Sequence, residues 1–443
     1  MPTDYTTMGD EVFRAQFALI VAATARRQDG VEVAAEPYMR SDVHFQYAVG
    51  RMLIRTDVFN SQVRYENEDM QVRELIERLV PGVQVRESPD RMSQITVLSS
   101  GDLEVPEALD RLDPELGVGT VTPDHLLSIT SGGSVSNCPA TEPDPIPGFG
   151  PYPPQVAGGA GTGVHIAIPD RGLVERPPNT THTWLTGVDG DPDPNVKPGT
   201  PAMGGTPGTP AMLGEYAAHG TFCAGVARCA APGATVTVTD AFRFAGADLE
   251  SFVFANLTAA LELQPNIISL SAGGYTRADQ PLLTAQVFAE RLQEVENHGT
   301  ILVAAAGNDG TKRPFFPAAD EQVFGVGALA FDQLSRAWFS NYGDWVDIWA
   351  LGDGMINAFA EGRYTYAEPP RKGSSVNFAG MARWSGTSFS TPLFAGLVAA
   401  RMSRAAAAGQ PETSRQAAEA LIAFAANQMV AGAGPALRFD QAP

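Results

Sequence analysis

A Ser hydroxyl, a His imidazole and an Asp carboxylate can together attack a carbonyl carbon, and three segments of this chain supply them. Asp170 closes the apolar run VHIAIPDRG, His219 lies in AAHGTFCAGVA, and Ser388 lies in WSGTSFSTPLFAG. A Ser hydroxyl is a weak nucleophile until a neighbouring base takes its proton. A neutral His does this when a carboxylate holds its ring and stabilises the imidazolium that forms. The three must meet in space, and their order along the chain is free. Taken singly, Asp170 reads as a turn residue between Pro169 and Gly172. The remaining histidines, His44, His125, His165, His182 and His298, read as structural.

Here the order is Asp, His, Ser, one of three orders known for this constellation. His-Gly-Thr at 219–221, and Gly-Thr-Ser at 386–388 followed by Pro392, resemble the His and Ser motifs of the subtilisin-like serine proteases, over about residues 161–430. The resemblance implies a serine endopeptidase that works through an acyl-enzyme and needs no cofactor or metal. It makes Asn308, in ILVAAAGNDG, the side-chain donor of the oxyanion hole beside the Ser388 backbone N–H. Ser271, Ala272 and Gly273, in IISLSAGG, become the edge on which an extended protein or peptide substrate adds as a strand. Ala305, Ala306 and Gly307 become a wall of the first specificity pocket, whose base the sequence does not reveal. If RPFFPAADE (313–321) reaches that base, Asp320 or Glu321 would favour a basic substrate residue. Two other readings stay open. One is a protease-like regulatory protein whose site is occluded, and the other is an esterase or peptide ligase that shares the acyl step.

Departures from the family pattern are informative. Pro169 precedes the Asp, and proline cannot donate to a strand ladder. Arg171 follows it, either to attract an acidic substrate residue or to form a structural ion pair. The stretch from His219 runs without a calcium loop to Ala231–Pro232, so the calcium site common in the family should be missing. DGDPDPN (189–195) alternates three carboxylates but lacks the Gly and Glu of an EF-hand, which reads as a solvated loop. Cys223 and Cys229 stand about 9 Å apart along a helix and cannot easily bridge; Cys223 lies where the family usually has a small apolar residue, which implies core packing.

The elements that must position these groups fall into four parts. Residues 1–40 are an N-terminal extension, 41–130 a small α+β domain, 131–160 a Pro/Gly-rich linker, and 161–443 the catalytic domain. From 161 on, short apolar strands (VHIAI, ATVTVTD, NIISLS, TILVAAA, QVFGVGAL) alternate with helices or loops. That predicts an α/β, three-layer subtilisin-like fold with a mostly parallel central sheet. PGTPAM occurs twice, at 198–203 and 207–212, inside an exposed insertion. In 41–130 the order is strand, helix (66–79), strand, strand, helix (105–116), strand, a ferredoxin-like order. This domain resembles the propeptide of the same family. The resemblance implies that it covers the catalytic domain, inhibits it intramolecularly and is cut near Thr130–Ser131. A permanently attached regulatory domain is the other reading.

Composition bounds the rest. The net charge is −20, from 30 basic and 50 acidic residues, which argues against a nucleic-acid surface. The apolar run FALIVAATA (17–25) follows acidic rather than basic residues, so it reads as a folded element and not a secretion signal. No apolar run is long enough to span a membrane. A cytoplasmic location is expected.

Overall fold

The computed structural model describes residues 5–26, 30–36, 45–129, 141–148, 150–175, 182–200, 208–294, 299–368 and 370–439, with side chains from residue 14 onward. The catalytic part is built on an eight-stranded sheet. Across it the strands run Val188–Gly190, Thr235–Asp240, His165–Asp170, Ile267–Leu270, Ile301–Ala305, Phe324–Leu329, Ile348–Leu351 and Ala436–Leu437. Every neighbouring pair is parallel. Side chains alternate faces along a strand. Ile166 and Ile168 pack with the helices His219–Ala230 and Thr387–Ala407, whereas Ala167 packs on the opposite face with Glu250–Ala260 and Leu283–Leu292. Both faces are covered, which is why the strands read as unbroken apolar runs.

Strand order reverses beside His165–Asp170. The chain continues on one side, through the edge strand Val188–Gly190 and then the neighbour Thr235–Asp240, and only later adds the other neighbour, Ile267–Leu270. Open parallel sheets bind ligands at such a switch, outside the carboxyl ends of the strands. Asp170, Ser271 and Asn308 all lie at or just beyond those ends. Pro169 fits here without loss. In a parallel strand successive residues bond to alternate neighbours. His165 bonds towards Asn266, and Asp170 towards Ala241 on the other side. Pro169 therefore faces the Ile267–Leu270 strand, where pairing has already stopped at Ala167.

The N-terminal domain contributes a sheet in which its last strand, Val121–Ser128, lies beside the first, Phe45–Arg55. Next come the third, Ile95–Leu98, and the second, Val85–Arg86, all antiparallel. Met52, Ile54 and Leu98 face its own helices, Val72–Leu79 and Val105–Leu116. Leu53, Ile95 and Val97 share a core with the catalytic helices Glu250–Ala260 and Leu283–Leu292. Each face of this thin sheet is thus buried, one of them against the catalytic domain.

Several boundaries differ from expectation. The helix expected over 66–79 starts only at Val72, because Glu66 and Asn67 adopt left-handed φ values of 48° and 70° and turn a hairpin between Gln62–Tyr65 and Glu68–Gln71. The extension is not separate. It forms the helix Tyr5–Ala25 and a strand, Val33–Glu36, paired with Phe45–Arg55. The later part of the expected linker is also folded. Asp144–Pro145 pairs with Ser375–Trp384 in a second, five-stranded sheet, and Met212–Leu213 from the insertion joins the same sheet.

One close approach fixes the start of the His219 helix on the sheet. A Cβ on Gly220 would lie 2.5 Å from the Gly172 carbonyl oxygen and 2.8 Å from Val238 Cγ1. Gly220→Ala is expected to cost about 1–3 kcal/mol of stability in denaturant unfolding, as overpacking does. A loss below about 0.5 kcal/mol, the level of an ordinary surface change, would show that this contact does not set the helix.

Candidate active site

Asp170 and His219 meet in a fully buried pair. His219 Nδ1 lies 2.8 Å from each carboxylate oxygen of Asp170. With Nδ1–H donating to the carboxylate, Nε2 is left to accept a proton. It is buried, and no hydrogen-bond partner for it is found among the described residues. Ser388 is the second residue of the helix Thr387–Ala407. Its neighbour Phe389 packs on the His219 ring at 5.5 Å between centroids, and Trp384 meets the same ring edge-on at 5.5 Å. Cys223 Sγ lies 3.8 Å from His219 Nδ1 and 3.4 Å from the Ser388 carbonyl oxygen. Asp170, His219 and Cys223 also form a cluster of potential cation ligands.

The Ser388 carbonyl has a specific problem. In a helix it would accept from the N–H four residues on, but that residue is Pro392, which has none. Ser271 Oγ donates to it at 2.8 Å, with Cys223 Sγ alongside. Ser271, expected on the substrate edge, thus turns its hydroxyl inward to that carbonyl. Cys223 is more than a core residue, because its thiol supports the same carbonyl.

Asn308 is held by its oxygen. Oδ1 accepts from Thr387 N at 2.8 Å and from Thr387 Oγ1 at 3.0 Å. The amide nitrogen, Nδ2, is buried and without a partner among the described residues. A buried N–H with no acceptor costs free energy. The bonds from Thr387 place it at the start of the Ser388 helix. Ala305 and Ala306 are buried at the end of their strand, and Gly307 follows with φ 92°.

Arg171 points into the fold. It is 5% exposed, pairs with Asp240 at 3.0 Å and donates to Asn195 Oδ1 at 3.3 Å. Its guanidinium is therefore not offered to a substrate. Asp320 and Glu321 line a cavity of about 420 Å³ with Ala285, Gln286, Phe316 and Trp345, and neither Ser271–Gly273 nor Ala305–Gly307 is among its lining residues. The alternating carboxylates of DGDPDPN take separate partners. Asp189 accepts from Thr237, and Asp191 from the Asp240 N–H.

Asp193 has a role the sequence did not disclose. Ala218, just before His219, is held in a left-handed conformation at φ 63°. Its N–H donates to Asp193 Oδ2 at 2.6 Å, and Asn195 N donates to Oδ1 at 2.8 Å. Only the fold brings residue 193 to residue 218. Burial pushes the Asp193 carboxyl up to about 6, against the opposing pull of these two N–H groups and Arg171.

The segment expected to receive substrate is paired with the chain's own N-terminal domain. Ser128 pairs antiparallel with Gly273, with N···O distances of 2.9 and 3.1 Å. Ile129 N donates to Gly246 O at 2.8 Å on the opposite side. Upstream, Val121–Ser128 adds to the catalytic strand Ala247–Leu249. Beneath it His125 Nε2 accepts from Arg277 N at 3.1 Å, so its proton sits on Nδ1, which lies 2.7 Å from Glu250. Asp124 accepts from Ser251 N and Oγ at the start of the helix Glu250–Ala260 and from Arg51. Burial raises its carboxyl despite these partners. Thr130 and Ser131, the expected cleavage point, lie outside the described residues.

A sequence profile of the subtilase family matches residues 161–436, over half of the chain. The chain belongs to the subtilase family. It is a serine-type endopeptidase. Among its relatives, a thermophilic serine proteinase of Bacillus sp. (strain AK1) is 27% identical over 86% of this chain and 85% of its own length. That coverage reaches beyond the catalytic domain into the N-terminal part. Thermitase of Thermoactinomyces vulgaris is 28% identical over 54% of this chain and 74% of its own. Fervidolysin of Fervidobacterium pennivorans, a keratinolytic enzyme related to subtilisin, shares the fold. Its TM-score is 0.54 at 17% identity, covering 94% of this chain and 62% of that one. Among the described residues of this subtilase, no helix is long and apolar enough to cross a membrane.

Raised in the fold, the Asp193 pKa makes the proton favour the folded state. That contribution is complete below the ordinary value of 3.8 and is lost as pH rises through about 6. The Tm of the wild type minus that of Asp193→Asn is therefore expected to fall from about pH 4 to about pH 8. A pH-independent gap in thermal melts would show that Asp193 titrates normally.

Proposed function

We propose that Ser388 attacks the peptide carbonyl while His219 Nε2 takes its proton, and that Asp170 holds the imidazole and stabilises its charged form. Asn308 Nδ2 and the Ser388 N–H then receive the oxygen of the tetrahedral intermediate. As that intermediate collapses, His219 returns the proton to the leaving amine. Water repeats the sequence to release the acyl-enzyme. The observation that carries this reading is a pair of buried, unpartnered atoms, His219 Nε2 and Asn308 Nδ2, beside the start of the Ser388 helix. One is the acceptor the attack needs and the other is the donor its product needs.

The substrate backbone lies as an added strand between the segments carrying Gly246 and Gly273. Ser128 and Ile129 already use both edges, which supports the N-terminal domain as an intramolecular inhibitor and first substrate, cut near Thr130–Ser131. An esterase would have no need of a second edge for an extended peptide.

A fluorophosphonate probe is expected to label the wild type and not Ser388→Ala, and labelling of both would displace Ser388 from the role of nucleophile. Asn308→Ala should lower kcat by about 10²–10³-fold with a smaller change in KM, as loss of a side-chain oxyanion donor does. In a mass spectrum of the purified full-length chain, wild type should appear split near residue 130 and Ser388→Ala intact. An intact wild type that cleaves other peptides would make the N-terminal domain a permanent attachment.

A further inference from the structure

We infer that Phe315 fills the side-chain pocket beside the scissile bond, so that this enzyme cuts after small residues, namely glycine, alanine, serine and threonine. The inference rests on the proposed seat of the substrate and names the residue that restricts it.

The strands Ile267–Leu270 and Ile301–Ala305 pair as far as Leu270 with Ala304. Beyond that point the two chains part, one through Ser271–Gly273 and the other through Ala306–Asn308. A substrate paired with Gly273, with its reacting carbonyl towards Asn308, lies between these walls. The side chain before the cut then has to enter between Gly273 and Gly307. That space is occupied. A Cβ built on Gly273 would lie 2.5 Å from Phe315 Cε1, and one built on Gly307 would lie 3.1 Å from Phe315 Cδ1. A single ring touches both walls.

The ring is also held there. Phe315 is 1% exposed and meets Tyr275 edge to face, with centroids 5.2 Å apart at 76°. Tyr275 donates its hydroxyl hydrogen to Asp309 at 2.7 Å and accepts from Asn341 Nδ2 at 3.1 Å. Arg313 covers the Tyr275 ring at 4.7 Å. The next residue, Phe316, is paired through its backbone with Gly274 at 2.8 and 2.9 Å. Moving Phe315 aside would disturb a buried polar network and a backbone pair, so a large incoming side chain meets a wall rather than a flexible lid. The chain's own sequence agrees with this. The five residues after Ile129 are Thr130, Ser131, Gly132, Gly133 and Ser134, all small.

The test is a peptide library in which the residue before the cut is varied, applied to the full-length chain once fluorophosphonate labelling of a parallel sample is complete. Wild type is expected to show kcat/KM for Ala, Ser or Thr at least about tenfold above that for Phe, Leu or Arg. Phe315→Ala should raise the Phe and Leu values relative to Ala by about tenfold or more, and Phe315→Leu by less. Wild type cutting after Phe, Leu or Arg as fast as after Ala would overturn the inference even if the variants fail to fold. So would a Phe315→Ala profile identical to wild type. A wild type that neither labels nor cuts any peptide would instead remove the proposed function, and the inference with it.

Discussion

The buried contact between Asp170 and His219 is the constraint around which the catalytic domain is organised. Neither side chain touches solvent, and a carboxylate in that position without a partner would cost far more than the pair returns. The pairing therefore demands accurate placement. Asp170 is placed by the end of a central strand, whose proline falls where no ladder bond is needed. His219 is placed by a helix that Gly220 lets approach the same strand. Ala218 enters that helix in a left-handed conformation, a strain secured by Asp193. Arg171 ties the turn after Asp170 to Asp240 and Asn195, and Asn195 shares a loop with Asp193. One layer of polar contacts thus links the residues that flank both partners of the pair.

Around Ser388 the chemistry follows from which backbone and side-chain groups are satisfied. Pro392 withholds an N–H, and Ser271 and Cys223 supply donors in its place. Thr387 takes up both bonding positions of the Asn308 oxygen, and this aims the amide nitrogen. Nearly all buried polar groups in folded proteins find partners. Against that background, the lone imidazole nitrogen of His219 and the lone amide nitrogen of Asn308 are exceptions, and they are the two atoms on which the proposed mechanism rests.

The motifs around Asp170, His219, Asn308 and Ser388 were legible because each is local, a few residues of distinctive type at a strand end or helix start. The parallel sheet was legible because burial on both faces leaves unbroken apolar runs. What was not legible depends on distant parts of the chain meeting. Nothing near residue 193 announces a bond to Ala218, and Arg171 could not be assigned until Asp240 was seen beside it. The hairpin before Val72 was hidden because Glu-Asn, with both residues left-handed, replaces the commoner Gly-containing turn. The second sheet draws its strands from the expected linker, the insertion and two long late strands, none of which shows its partner in its own sequence.

The N-terminal domain and the catalytic domain share one core and, at Ser128 and Gly273, one backbone pairing. The proposed catalytic roles turn on the Asp170–His219 pair, and the kinetics of Asp170→Asn on a peptide substrate test them most directly. If Asp170 fixes the tautomer and orientation of His219, kcat should fall by about 10⁴-fold with little change in KM. A variant that keeps kcat within about tenfold of wild type, or loses activity through KM alone, would contradict the account.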